Sequence, residues 1–261
     1  MGEVSTYPDG HFCWVDLGTT DVDGSKAFYG GLFGWELQDI AAGGDQTYTR
    51  CRLNGFEVAG LHAHAEAEGS GWSSSIAVDD VDATTLRARE VGASVVLEPQ
   101  EIPGTARLSV IRDLVGAEVS LWQAKGFAGA RLVNEPGAWT WNELVTAELD
   151  RATGFYRGLF GWESGGAPAP IPRVGFTKGG YLIGGAHAPQ PGEDDSPRWT
   201  VAFGVEDADA SATRAQELGG RVLLPAMDIP TGRFAVVADP AGASFTISAV
   251  PGGGVRGLDG S

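Results

Sequence analysis

Asp16 and Glu143 are the residues of this 261-residue chain best placed to do chemistry. Each lies two residues beyond a tryptophan in an apolar run, Trp14-Val15-Asp16-Leu17 and Trp141-Asn142-Glu143-Leu144. A carboxylate in such a run is either paired or has its pKa raised. A raised pKa near the working pH suits a general acid or base. The structural alternative is a carboxylate bonded to a backbone N–H, to Arg107 or Arg233, or to a neighbouring indole, bracing the fold. His62 and His187 form a second matched pair, in Gly-Leu-His-Ala and Gly-Ala-His-Ala. They read either as proton-transfer groups at the mouth of a site or as solvated strand ends. His11 and His64 have no counterparts. Arg107 and Arg233 follow Ile-Pro turns and are expected to brace Asp113 and Asp239 in their own hairpins, with an anionic ligand group as the other use. No glycine-rich phosphate loop and no Ser-His-Asp order accompanies them.

The pairing of these residues comes from a duplication. Trp14 through Phe28-Tyr29-Gly30-Gly31-Leu32-Phe33-Gly34-Trp35 recurs as Trp141 through Phe155-Tyr156-Arg157-Gly158-Leu159-Phe160-Gly161-Trp162, with a constant offset of 127 positions. Farther on, Val78-Asp79-Asp80-Val81-Asp82-Ala83 answers Val205-Glu206-Asp207-Ala208-Asp209-Ala210, and Arg107, Asp113 and Gly116-Ala117 answer Arg233, Asp239 and Gly242-Ala243. The repeat predicts two domains of roughly 110 to 130 residues, each able to bury a core. Residues 10–124 form the first and 138–249 the second. Residues 125–137 join them, 189–197 are an acidic loop, and 250–261 read as a flexible, glycine-rich tail.

Within the first half, residues 11–18 read as a strand. Asp21 is the expected N-cap of a helix that Gly34 stops. Strands follow at Thr47–Leu53 and Glu57–His62, around an Asn54-Gly55 turn. The order repeats with a strand at 73–79, a helix at 81–91 and strands near 94–98, 107–112 and 117–123. Each half is therefore α+β, with two βαβββ units. A net charge of −16 with 43% hydrophobic residues describes a soluble globular protein and argues against nucleic acid or anionic membrane as partner. No apolar run approaches a membrane span, no signal peptide opens the chain, and Cys13 and Cys51 occupy unmatched positions. These features predict a cytoplasmic protein without a disulfide framework.

Tandem βαβββ units with a Phe-Tyr-x-x-Leu-Phe-Gly-Trp helix, the Val-Asp-Asp-Val-Asp-Ala helix entry and the Arg … Asp-x-x-Gly-Ala hairpin resemble the vicinal oxygen chelate superfamily over about residues 10–248. That group includes glyoxalase I, extradiol dioxygenases, fosfomycin-resistance thiol transferases and bleomycin-binding proteins. The chain looks most like its two-domain actinobacterial members labelled glyoxalase-like or hydroxylase, several of which sit among genes for aromatic polyketide tailoring. The resemblance implies that each domain curls its paired units into an open, cup-shaped barrel that binds ligand.

The family's metal-ligand positions fall on Trp14, Ser73 and Ser120 in one half and Trp141, Thr200 and Thr246 in the other, with the fourth-strand position near Gly60 and Gly185. None is a competent ligand for a divalent cation, so both cups are expected to work without metal or other cofactor. Period-two alternation places Phe12, Trp14 and Asp16 on one face, and Trp139, Trp141 and Glu143 on its partner. If the tryptophans hold the old ligand positions, those faces look into the cups and offer an indole platform for a flat aromatic metabolite; equally, the indoles simply fill the cups. Trp72 and Trp199 are assigned to a cup rim or a domain interface. Three functions follow: a metal-free binding protein for an aromatic, polyketide-like metabolite; a metal-free tailoring enzyme of hydroxylase, cyclase or lyase type using Asp16 or Glu143; or a structural or signalling protein with vestigial cups. The expected assembly is a monomer with pseudo-twofold symmetry or a homodimer.

Overall fold

A computed structural model describes residues 2–43, 46–166, 172–190, 193–229 and 232–249; the expected tail at 250–261 lies outside them. The first half runs β1 (Phe12–Thr19), α1 (Val22–Phe33), β2 (Glu36–Ala41), β3 (Thr47–Leu53), β4 (Phe56–Ala63), β5 (Gly71–Ala77), α2 (Val81–Glu90), β6 (Ser94–Ile102), β7 (Ala106–Arg112) and β8 (Glu118–Ala124). The second repeats it as β9 (Trp139–Val145), α3 (Leu149–Phe160), β10 (Glu163–Gly165), β11 (Arg173–Lys178), β12 (Tyr181–His187), β13 (Arg198–Gly204), α4 (Ala208–Glu217), β14 (Arg221–Ile229), β15 (Gly232–Ala238) and β16 (Ser244–Ala249). Asp21 caps α1 by accepting from Gly24 N at 2.9 Å, and Gly34 ends it at φ 71°, a left-handed conformation that glycine adopts without strain. Asp80 and Asp207 cap α2 and α4 in the same way. No described helix is long and apolar enough to cross a membrane.

Each half forms one eight-stranded sheet, in the order β2-β3-β4-β1-β5-β8-β7-β6 and β10-β11-β12-β9-β13-β16-β15-β14. The two βαβββ units meet where β1 runs antiparallel to β5, and β1 and β5 in turn run parallel to β4 and β8. The sheets stay open, with β2 and β6 at the edges of the first. β6 extends past the expected residue 98 and carries Pro99, and β14 carries Pro225 at the matching place. An edge strand tolerates proline because one side needs no ladder donor, and the register shifts beside both prolines.

One face of each sheet packs against the other half. Phe33, Trp35 and Trp72 surround Phe203, with ring centroids 4.9–5.5 Å away. Phe12 packs at 5.5 Å from Trp162 and 4.9 Å from Trp199. Trp72 and Trp199 are thus interface residues. Trp35 Nε1 donates to Gly137 O at 2.7 Å and Trp162 Nε1 to Gly10 O at 2.8 Å, so the first helix-closing indole fastens to the end of the connector and the second to the other half.

Two buried tyrosines cross this boundary. Tyr156 on α3 donates to Asp113 Oδ2 of the first half at 2.8 Å and accepts from Trp199 Nε1 at 2.7 Å. Tyr29 on α1 bonds Asp239 of the second half and accepts from Trp72 Nε1 at 3.0 Å. Asp113 Oδ1 also takes the backbone N–H groups of Val115, Gly116 and Ala117 at 2.9–3.0 Å. The arginines expected to brace these aspartates are elsewhere. Arg107 pairs with Asp82 at 2.7 Å, and Arg233 with Asp209 at 2.5 Å and Asp228 at 2.9 Å. Buried backbone donors and a tyrosine satisfy the hairpin aspartates, leaving the guanidiniums free to stay near solvent.

Removing the Tyr156 hydroxyl strands a buried carboxyl and an indole N–H. Tyr156→Phe is expected to lower unfolding free energy in urea by about 1–3 kcal/mol, and Tyr29→Phe by a similar amount. Losses below about 0.5 kcal/mol in both variants, the range of ordinary surface changes, would show that the crossed pairs do not hold the halves together.

Candidate functional site

The inner face of each sheet, turned away from the other half, carries the candidate site. A β-bulge decides which β1 residues reach it. Trp14 pairs with Ser75 but Phe12 pairs with Ile76, leaving Cys13 as the extra residue. The bulge resets the alternation. Trp14 and Asp16 point into the first cup, whereas Phe12 turns to the domain interface. The same happens in β9, where Trp141 pairs with Ala202, Trp139 with Phe203, and Thr140 is extra. Trp139 is buried outside the cup, its Nε1 donating to Asn142 Oδ1 at 2.8 Å. Phe12 and Trp139 are therefore not cup residues, contrary to strict alternation.

In the first cup Trp14 Nε1 donates to Tyr48 Oη at 2.9 Å, and Tyr48 donates to Asp16 Oδ1 at 2.5 Å. Burial pushes the Asp16 carboxyl above its ordinary range, against the opposing pull of His62, Tyr48 and Trp14. His62 lies flat along Tyr48, with centroids 6.3 Å apart and planes at 15°. Trp14 itself is 0% exposed. Phe127 from the connector sits edge-on to it at 4.9 Å and 90°, so the first indole is covered.

The second cup is arranged differently. Glu143 accepts from Trp141 Nε1 through Oε2, and its Oε1 lies 3.4 Å from Arg173 Nη2 and 3.3 Å from His187 Nδ1. His187 Nε2 lies 3.3 Å from Glu193 Oε2, and Arg198 holds the other Glu193 oxygen at 3.1 Å. Burial alone would push the His187 imidazole down, but hydrogen bonds and charge from Glu143 and Glu193 outweigh it and hold the pKa up at about 9. Burial would likewise raise the Glu193 carboxyl, yet His187, the Gln190 N–H and Arg198 keep it below its ordinary value. His187 is thus an imidazolium clamped between two carboxylates. Trp141, unlike Trp14, remains partly exposed.

The positions assigned to metal ligands do come together. Asp16 pairs with Gly60 on one side and Ser73 on the other, and Ser75 links Trp14 to Ser120. Glu143 pairs with Gly185 and Thr200, and Ala202 links Trp141 to Thr246. Their chemistry does not fit a divalent ion, which takes imidazole, carboxylate or thiolate. Ser73 and Thr200 spend their hydroxyls on the backbone carbonyls of Asp16 and Glu143, at 3.3 and 3.0 Å. The fourth-strand position has no room for a ligand side chain. A Cβ on Gly60 would fall 1.8 Å from the Tyr48 hydroxyl and 2.1 Å from Asp16 Oδ1, and one on Gly185 would fall 2.7 Å from Glu143 Oε2. Among the described residues, no group of three or more His, Cys, Asp or Glu is placed to hold a metal ion.

Several site residues escaped the sequence reading. Tyr48 and Arg173 lie on strands whose alternation would have turned them inward. Glu193 lies within the segment that reads as an acidic loop, and Arg198 directly follows it. Phe127 had no local signal, because its place depends on where the connector crosses the first cup. Cys13 and Cys51 are both buried and free.

Residues 11–121 match the model for the glyoxalase/bleomycin resistance protein/dioxygenase superfamily, and residues 141–248 match a glyoxalase-like domain. The chain is 40% identical over 257 residues to "Putative glyoxylase CFP32" of Mycobacterium tuberculosis, covering 95% of this chain and 97% of that one. It is 34% identical over 266 residues to the anthracycline biosynthesis protein DauV of Streptomyces sp. strain C5, covering 94% of each. Among solved structures, the 2,2',3-trihydroxybiphenyl 1,2-dioxygenase of Sphingomonas wittichii superimposes with a TM-score of 0.67 at 14% identity, over 97% of this chain and 93% of that one. The Mn(II)-bound glyoxalase of Novosphingobium aromaticivorans gives 0.66 at 17%, over 95% and 82%. At those identities the likeness is one of fold.

The His187 clamp sets a pH dependence. Because the folded pKa lies above the ordinary 6.5, the clamp's stabilisation is present in full below that value and is lost as pH rises through about 9. The stability difference between the wild type and His187→Ala is therefore expected to shrink across that window, and the imidazole to titrate near its upper end by NMR. A midpoint at or below the ordinary value would dissolve the clamp.

Proposed function

Because the chain belongs to the glyoxalase/bleomycin resistance/dioxygenase superfamily, we propose that it is a metal-independent member that holds a flat, hydroxylated aromatic metabolite in its second cup and serves a cytosolic tailoring step on such compounds. The observation that carries this reading is the pairing of a partly exposed Trp141 with the charged clamp behind it. An indole face suits polycyclic rings. Arg173 supplies donors for phenolic or quinone oxygens, and the Glu143 carboxylate supplies an acceptor. The anthracycline-biosynthesis relatives support the substrate class, since anthracyclines are fused-ring aromatics. Indole, hydroxyl and glycine at the metal positions support independence from a divalent ion.

A second reading is favoured by His187. Its imidazolium fixes the Glu143 carboxylate beside Trp141, where that carboxylate can take up a proton from a bound ligand. The protein would then be a metal-free tailoring enzyme.

Titration with a hydroxyanthraquinone is expected to quench tryptophan fluorescence, and Trp141→Ala to weaken binding by about two- to ten-fold, the range that aromatic stacking alone confers. Unchanged affinity in Trp141→Ala would discard the second cup as the site. Glu143→Gln separates the two readings. It alters affinity modestly in a binding protein, whereas in an enzyme it preserves binding and removes turnover.

A further inference from the structure

The segment that leaves the last strand of the first half acts as a strap. Beyond β8 the connector turns around Thr105 O, which accepts from Lys125, Gly126 and Phe127 at 2.9–3.1 Å. It then crosses two strand starts. Ala130 N donates to the carbonyl of the bulge residue Cys13 at 2.8 Å, and Arg131 N donates to Glu57 O at 2.7 Å. The Arg131 guanidinium carbon lies 5.4 Å from the Phe56 ring centroid, within cation–π range. Phe56 and Glu57 are both half-buried.

The second half has the matching place. Tyr181 and Leu182 open β12 as Phe56 and Glu57 open β4, at the offset of 125 positions that also relates Gly60 to Gly185. They are 52% and 41% exposed, two adjoining large apolar side chains where the first half carries a strapped phenylalanine. Thr140 is the bulge residue that answers Cys13. The same offset of 125 carries Gly129-Ala130-Arg131 onto Gly254-Val255-Arg256, and Phe127 onto Gly252. The repeat thus runs on past the described residues. The link from β16 to Gly254 is one residue shorter than its counterpart, but the first connector spends residues 125–127 on its turn, so the shorter link has the reach.

We propose that residues 254–256 strap the second half as residues 129–131 strap the first. The Val255 and Arg256 N–H groups donate to Thr140 O and Leu182 O, and the Arg256 guanidinium lies over the Tyr181 ring. Two backbone bonds and a cation–π contact hold the segment. Phe127 covers Trp14 in the first half, whereas glycine stands at the matching place in the tail, so this strap passes Trp141 without covering it. It closes beside a bound ring instead of replacing one, and slows the ring's departure. The first strap is also held by Val4 N, which donates to Arg131 O at 3.0 Å. The second relies on the hairpin alone and is the weaker, so a ring lying on Trp141 reinforces it. The retention role rests on the reading of the second cup; the docking itself does not.

The test uses the full chain. Amide exchange by NMR should show Val255 and Arg256 protected by about ten-fold or more relative to an unstructured chain, and further with saturating hydroxyanthraquinone. The Arg256 side-chain protons should move upfield in the ring current of Tyr181 and return to ordinary positions in Tyr181→Leu. Val255→Pro removes one donor. It should abolish the Arg256 protection and speed hydroxyanthraquinone dissociation, read as recovery of tryptophan fluorescence, by about two- to ten-fold. Val255 and Arg256 amides that exchange at unstructured-chain rates with and without ligand would overturn the proposal. An upfield shift that persists in Tyr181→Leu would do the same. Protection with an unchanged dissociation rate in Val255→Pro would remove the retention role. If hydroxyanthraquinone quenches no tryptophan fluorescence, the second-cup reading fails while the exchange rates still decide the docking.

Discussion

The two crossed tyrosine–aspartate bonds fix how the rest of the molecule is arranged. Aromatic surfaces pack well in several registers, so apolar contact alone leaves the relative position of two such faces loosely defined. A buried hydroxyl and a buried carboxyl tolerate only the arrangement that satisfies both. Tyr156 reaches Asp113 and Tyr29 reaches Asp239, each from the first helix of one half into a hairpin of the other. Both aspartates are pushed above the ordinary carboxyl range, chiefly by burial. Asp113 and Asp239 also organise their own hairpins through backbone N–H groups. One residue type at one repeated position therefore shapes a turn and locks an interface.

That lock uses one face of each sheet and leaves the other to the two carboxylate clusters. The inner faces diverged after the duplication, chiefly through what surrounds each carboxylate. Asp16 is short and is held by Tyr48 in a tyrosine–indole chain with His62 beside it, and Phe127 from the connector covers the indole. Glu143 is one methylene longer, reaches an imidazole and an arginine, and stays near solvent. A covered indole in one cup and a partly exposed one in the other is an asymmetry that the repeat alone does not announce, although Trp122, answered by Ser248 in the second half, points to it.

The fold was largely legible because its signals are local. The aspartate caps and Gly34 and Gly161 act within a few residues of themselves, and the 127-residue offset displays each such signal twice. The cups were legible in part. Asp16, Trp14, Glu143 and Trp141 meet as the strand period suggests, but Phe12 and Trp139 do not, because a bulge at Cys13 and Thr140 leaves no mark in residue type. The aspartate partners were misread for a related reason. Arg107 and Arg233 are neighbours in sequence, whereas Tyr156 and Tyr29 arrive from the other half. Glu193 and Phe127 sit in segments without periodicity, and only the path of the chain brings them to a cup.

Indoles, hydroxyls and two glycines stand at the positions the resemblance assigns to metal ligands, and the glycines leave room for the Asp16 and Glu143 carboxylates. The most direct measurement is elemental analysis of the folded protein after expression with manganese, iron, nickel and zinc supplied, followed by gel filtration. No stoichiometric divalent ion is expected. One tightly retained ion per domain, released only with unfolding, would contradict it.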